Sequence, residues 1–208
     1  MKRVALIDYG VGNIASIALA LQRVGAFVEI VRDPASASQI SSSCLVLPGQ
    51  GTFAAAVRWL ERGGVRLVER LLERGASLLG ICLGLQLLFE ESEEGPGRGL
   101  GLLRGRVARL PRGCKRIHIG WSAIEVVRRD CPLLEGIESG QMFYFAHSYR
   151  AHAEDPEHVA ATTSYCGVEF PSVIWKGSIY GTQFHPEKSG SIGLRLLENF
   201  AELCGDDA

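Results

Sequence analysis

The segment Gly80-Ile81-Cys82-Leu83-Gly84 constrains the fold more tightly than any other stretch of the chain. Residues 77–81 form a short apolar run that reads as a buried strand, and residues 83–89 read as the start of a buried helix. A cysteine therefore stands on a strand-to-helix corner. Such a corner strains the backbone, and flanking glycines remove the side chains that would clash there. The geometry pushes the sulfur out of the sheet's carboxyl edge. It also places it at a helix N-terminus, whose partial positive charge favours thiolate over thiol. Two readings stand at this point: a nucleophile on an elbow, or a buried, inert cysteine packing as a small hydrophobe.

The remaining pattern supplies a sheet for that corner. Residues 4–8 and 27–31 read as strands, separated by a glycine-rich turn at 9–13, an N-cap at Asn13, and a helix with apolar positions 14, 17, 18, 21 and 24. Residues 44–47 read as a third strand running into Pro48-Gly49-Gln50-Gly51, a second glycine-rich corner, with helices over 54–60 and 65–72. Strand–helix alternation through residue 90 predicts a parallel sheet, whose ligands bind beyond the carboxyl ends of the strands. Both glycine corners fall on that edge. Residues 90–97 read as a solvated loop, and short strand-like runs follow from 102 to 184, before a closing helix over 192–204. No internal repeat or linker interrupts the chain. The expectation is therefore one α/β domain over residues 1–208, with a mostly parallel central sheet, helices on both faces and a small antiparallel extension.

Bulk properties exclude several classes of function. The 208 residues carry 22 basic and 23 acidic side chains, which argues against a nucleic-acid or anionic-membrane partner. No apolar run approaches the roughly 20 residues of a membrane helix, and the N-terminus shows no signal-peptide pattern. The six cysteines (44, 82, 114, 131, 166, 204) show no C-x-x-C pair and no metal-ligand spacing, and are expected to be reduced in a cytoplasmic protein. Gly10-x-Gly12 lacks the third glycine and the acidic residue of a dinucleotide fingerprint.

His185 is the histidine best placed to serve Cys82. It ends a strand-like run, and Glu187 lies two residues on. Residues i and i+2 of an extended segment point the same way, and Pro186 is expected to hold the segment extended. Glu187 can then bind one ring nitrogen and leave the other facing the thiol, the arrangement of a nucleophile–base–orienter triad. Seen alone, the pair reads first as a strand-end histidine with a solvated carboxylate; beside a glycine-flanked cysteine corner, the functional reading overtakes it. Carbonyl attack also needs oxyanion donors, for which the Leu83 N–H and a backbone amide of the 49–51 corner, at Gln50, are candidates.

Three stretches together carry a specific resemblance: Gly-Ile-Cys-Leu-Gly-Leu-Gln (80–86), Pro-Gly-Gln-Gly (48–51) and Gly-Thr-Gln-Phe-His-Pro-Glu-Lys-Ser (181–189). They resemble the class I, or triad, glutamine amidotransferases. Residues 8–13, His118-Ile119-Gly120-Trp121 and Tyr144-Phe145-Ala146-His147-Ser148-Tyr149 are similar, more narrowly, to the glutaminase subunits of imidazole glycerol phosphate synthases. The resemblance implies hydrolysis of L-glutamine by Cys82, His185 and Glu187, with no cofactor and no metal. It implies passage of the ammonia to a β/α-barrel cyclase subunit bound as a heterodimer partner, in histidine biosynthesis. It further implies glutamine-binding roles for Gly51, Gln86, Ser148 and Tyr149, and a cyclase-facing position for Asn13, Trp121 and Lys188. Gln50 stands where many relatives carry an apolar residue. Three rivals are a thiol-using α/β-hydrolase, the glutaminase of pyridoxal phosphate synthesis, and a binding subunit that has lost catalysis. A carboxylate two residues after the histidine disfavours the first, the motifs at 118–121 and 144–149 the second, and the intact Cys82, His185 and Glu187 the third.

Overall fold

The computed structural model describes residues 2–205 except 11–13, 36–39, 41, 50, 112, 114 and 116. Its centre is an eight-stranded sheet. The parallel half comprises β1 (Arg3–Ile7), β2 (Phe27–Val31), β3 (Cys44–Leu47), β4 (Ser77–Ile81) and β13 (Ile179–Thr182). The antiparallel half comprises β12 (Val168–Lys176), β11 (Val159–Tyr165) and β8 (Glu125–Val126), in the order β2-β1-β3-β4-β13-β12-β11-β8. β3 and β4 are buried along their whole length, as continuous apolar runs in a sheet covered on both faces must be.

Helices cover both faces. On one side α1 (Ile14–Arg23) and α5 (Gly190–Glu202) bury Ile17, Leu21, Leu196, Leu197 and Phe200. On the other, α2 (Phe53–Trp59) and α3 (Val65–Glu73) bury Phe53, Trp59, Leu67, Val68 and Leu71. The two helices are joined by a kink over Leu60–Gly64, where Gly63 leaves helical geometry with φ +114°. Gly64 lies against the Trp59 ring, where a Cβ would clash, so the chain kinks here and packs the two helices closely.

Two smaller sheets complete the antiparallel extension. One orders β10 (Tyr149–Ala153), β6 (Gly105–Arg109) and β5 (Glu91–Ser92). The other pairs β7 (His118–Ala123) with β9 (Met142–His147), in the register His118↔His147, Gly120↔Phe145 and Ser122↔Phe143. The stretch 90–97, expected to be a loop, thus contributes a short strand.

Two other expectations are corrected. The helix after Cys82 is a single turn, α4 (Leu83–Gln86), because Leu87, Leu88 and Phe89 are buried in turns rather than carried along a helix face. The cysteines are not all reduced: Cys44, at the start of β3, and Cys204, just past α5, form a disulfide. Their Cα atoms lie 5.4 Å apart although 160 residues separate them. Cys82 and Cys131 are free thiols, and Cys114 lies outside the described residues. Among the described residues no helix is long and apolar enough to cross a membrane.

Candidate active site

Strand order reverses between β1 and β3, and the loops after β1, β3 and β4 gather at that carboxyl edge, where a doubly wound sheet binds its ligands. Cys82 closes β4 there with φ +48° and ψ −97°, a conformation that L residues rarely adopt. Its backbone N–H binds the Thr182 carbonyl at 2.6 Å, and its own carbonyl accepts from Gln86 N–H at 3.1 Å. Close packing makes the corner possible. A Cβ on Gly80 would stand 2.5 Å from the backbone of Gly84, and one on Gly84 would run into the Leu47 carbonyl.

His185 follows β13 in extended geometry, but Pro186–Lys188 is a 3-10 turn and not an extended segment. Proline fits the first position of such a turn because its missing N–H would have no partner there. The turn still delivers Glu187: Nδ1–H of His185 donates to its Oε1 at 2.8 Å, with both side chains almost wholly buried. Ser189 pins the turn to β9, since its hydroxyl donates to the His185 carbonyl at 2.7 Å and accepts from the Tyr144 N–H at 3.0 Å. The His185 N–H binds the Tyr144 carbonyl at 2.8 Å.

The imidazole lies beside Cys82: a Cβ on Gly49 would touch both His185 Cε1, at 2.8 Å, and the Cys82 Cβ, at 3.1 Å. Burial, the largest single influence, acts to lower the pKa of His185. The neighbouring Cys82, and the bond and charge of Glu187, outweigh burial and raise the value from 6.5 to about 10. The imidazole is therefore held protonated at neutral pH. A helix of one turn carries little dipole, so His185, rather than α4, supplies the positive charge anticipated for the sulfur. Leu83 opens α4 directly after Cys82, which leaves its N–H without an intrahelical partner.

Of the residues implied in glutamine binding, Gln86 and Tyr149 meet. The buried Gln86 amide donates to the Tyr149 carbonyl at 3.0 Å. Ser148 links β9 to β10, half-buried, and Gly51 is exposed with φ +125° just before the Thr52 cap of α2. Of the cyclase-facing residues, Trp121 is half exposed and meets Tyr144 edge-on at 6.1 Å. The Lys188 ammonium lies 6.0 Å from the Tyr144 ring centre. Asn13 and Gln50 lie outside the described residues.

Sequence reasoning passed over two features. Ser189, which anchors the His185 turn, lay within a quoted motif without a role. His118 and His147 form a buried pair: Nδ1 of His118 meets Nε2 of His147 at 3.0 Å, Nδ1 of His147 meets the Tyr149 carbonyl at 2.8 Å, and Nε2 of His118 meets Ser122 Oγ at 2.8 Å. Because a carbonyl only accepts, His147 carries its proton on Nδ1. His118 then donates from Nδ1, and Ser122 donates to His118. The strand register places this pair, and no local sequence signal announces it.

An α/β sheet with a cysteine elbow, a buried histidine and its carboxylate defines the class. The family model "Glutamine amidotransferase class-I" matches residues 5–203, and the chain belongs to that family. Among solved structures, a chain of PurLQS from Thermotoga maritima superposes with a TM-score of 0.78 at 21% identity, covering 97% of this chain and 99% of that one. Two relatives are each named imidazole glycerol phosphate synthase subunit HisH. The one from Moorella thermoacetica is 47% identical, covering 98% of this chain and 96% of its own length. The one from Synechococcus sp. is 44% identical, covering 97% and 94%. Within its class, the chain belongs to the HisH family of imidazole glycerol phosphate synthase subunits.

Proposed function

We propose that this chain, acting as one domain over its 208 residues, hydrolyses the side-chain amide of L-glutamine and supplies the ammonia to a cyclase subunit. The Cys82 thiolate attacks the amide carbon, and the charge passes to the carbonyl oxygen, facing the Leu83 N–H and the 49–51 corner. Nε2–H of His185 gives its proton to the nitrogen, the C–N bond breaks, and ammonia leaves a glutamyl thioester. Water then attacks the thioester and gives a proton to His185. The C–S bond breaks with its electron pair returning to sulfur, and glutamate departs. Glu187 holds the imidazole by Nδ1 throughout. The observation that carries this reading is the buried His185–Glu187 pair, hydrogen-bonded at 2.8 Å and closing with Cys82 around Gly49.

A partner face adjoins the site. Ile119 and Trp121 of β7 and Met142 of β9 are exposed, and Tyr144 lies among them. Ala146 of the same β9 offers its carbonyl to Cys82 Sγ at 3.9 Å. An apolar patch continuous with an active site suits a permanent partner. Ammonia released to neutral water is protonated and ceases to be a nucleophile, so sealing that face against a β/α-barrel cyclase keeps the product reactive. We place the reaction in the cytoplasm, with the glutamine and nucleotide pools it draws on.

The test is a glutamine-mimicking electrophile, with the modified residue located by mass spectrometry, alongside assays of Cys82→Ala with the cyclase. The expected result is labelling at Cys82, loss of glutamate release in the variant, and retained partner binding and ammonia-driven synthesis. Undiminished glutamine turnover in Cys82→Ala overturns the assignment.

A further inference from the structure

Gln183 lies two residues before His185 on the stretch that leaves β13. Phe184 between them turns away into the core and stacks on Phe143 at 4.1 Å, and the bend at 183–184 leaves the Gln183 side chain reaching Cys82. Gln183 is wholly buried, and its backbone N–H is fixed to the Ser172 carbonyl at 2.9 Å. Its side-chain Nε2 stands 3.6 Å from Cys82 Sγ, while Oε1 has no hydrogen-bond partner among the described residues. A buried amide with one end idle and the other on a sulfur is a poor packing choice, since a thioether or alkyl chain of similar size fills the space without desolvating an amide.

Resting on the assignment of Cys82 as nucleophile, we propose that Gln183 is a second hydrogen-bond donor to the reactive sulfur, stabilising the thiolate from a side that His185 does not occupy. The carboxamide suits that task. It donates without carrying charge, and it does not titrate, so it favours anionic sulfur without competing with His185 for the proton. The N–H matters at two moments. Before attack it helps hold the nucleophile as an anion. When the thioester is hydrolysed, it receives the electron pair that returns to sulfur as the C–S bond breaks. In the thioester itself the sulfur is a weak acceptor, so the donor favours the free enzyme over the acylated one and speeds deacylation.

The titratable groups around the sulfur are His185, Glu187 behind it, and His147 of β9, which lies close enough to His185 to feel its charge. The test keeps all three and alters the amide. Alkylation of Cys82 by chloroacetamide, located by mass spectrometry, is followed against pH in the full-length wild type, Gln183→Met and Gln183→Glu, each checked first by thermal melting. Gln183→Met is expected to slow alkylation about tenfold at neutral pH, with the difference closing as pH rises and the sulfur ionises unaided. Gln183→Glu, with a carboxylate facing the sulfur, is expected to slow it further. A folded Gln183→Met whose profile overlays the wild type overturns the assignment of Gln183. Where the variants do not fold, wild-type protein labelled with 15N-glutamine decides: the Gln183 side-chain amide resonances, assigned through bonds, are expected to move upfield on alkylation of Cys82, and no movement overturns the assignment. Labelling elsewhere than Cys82 in the wild type removes the nucleophile and Gln183's role together, whereas labelling at Cys82 with unchanged rates removes Gln183's role alone.

Discussion

A Cβ placed on Gly49 would stand 2.8 Å from Cε1 of His185, and 3.1 Å from the Cβ of Cys82. The glycine after β3 is thus the spacer that lets histidine and cysteine close on each other. Gly84 makes an approach of another kind, against the Leu47 backbone. Gly49→Ala pushes chiefly on the imidazole and is expected to lower kcat by about 10²-fold with a small change in stability. Gly84→Ala pushes on main chain that has nowhere to move and is expected to cost about 1–3 kcal/mol of stability. Glutaminase assays of the complex with its cyclase, set beside urea titrations, separate the two effects.

Glu187 acts on His185 through one bond, Nδ1–H to Oε1 at 2.8 Å. Glu187→Gln keeps the volume but offers the ring a neutral partner and permits the wrong tautomer. The expected loss in kcat is about 10²–10⁴-fold, with little change in KM for glutamine. Glu187 also helps raise His185 to about 10, so the variant's alkaline limb in kcat against pH is expected at lower pH than the wild type's. The same shift governs stability: what the charged His185 contributes is present below 6.5 and is lost as pH rises through about 10.

The buried histidines have the opposite sign. Burial lowers His118 from 6.5 to about 4. Burial, countered by the Tyr149 carbonyl and reinforced by the charges of His118 and His185, lowers His147 to about 3. Their contribution to stability is present above 6.5 and is lost as pH falls through these two values. His118→Phe keeps a ring beside Phe145 and Tyr165, which stack on His118 at 4.7 and 3.9 Å, but removes one titrating group. The dependence of unfolding free energy on pH between 6 and 4 is expected to become shallower by about 1 kcal/mol per pH unit. Urea titrations at three pH values measure it, and an unchanged slope shows that His118 is not held neutral.

What the sequence made legible was local. Residues 27–31, 44–47 and 77–81 are strands with the expected bounds; the last two are buried along their whole length, while 27–31, at the sheet edge, is bounded by turn residues. The pairing of His185 with Glu187 was readable from spacing, although the backbone reaches it by a 3-10 turn that the extended reading did not contain. Gln183, brought to Cys82 by the bend that follows β13, was passed over because a glutamine beside a histidine carries no signal alone. The His118–His147 contact depends on the register of β7 against β9, and its 29-residue separation leaves no periodic trace. The helix after Cys82 ended early because Leu87, Leu88 and Phe89 are all buried, whereas a continued helix would have turned one of them outward.

The Cys44–Cys204 disulfide ties the first residue of a central strand to the end of the last helix, across 160 residues of chain. It lies at the amino end of β3, opposite the carboxyl edge that carries Cys82, so it acts on stability and not on chemistry. Closing so long a loop restricts the unfolded chain, and the expected contribution is about 2–5 kcal/mol. Cys44→Ala with Cys204→Ser is therefore expected to lower the midpoint of thermal unfolding by several degrees, while glutamine turnover with the cyclase at 25 °C stays at the wild-type level. Adding reductant is expected to lower the wild-type midpoint at least as far, and to move the double variant less, since Cys166 is disulfide-bonded as well. A wild-type midpoint indifferent to reductant, with both thiols titratable in the unfolded protein, shows that the bond does not form in the purified protein.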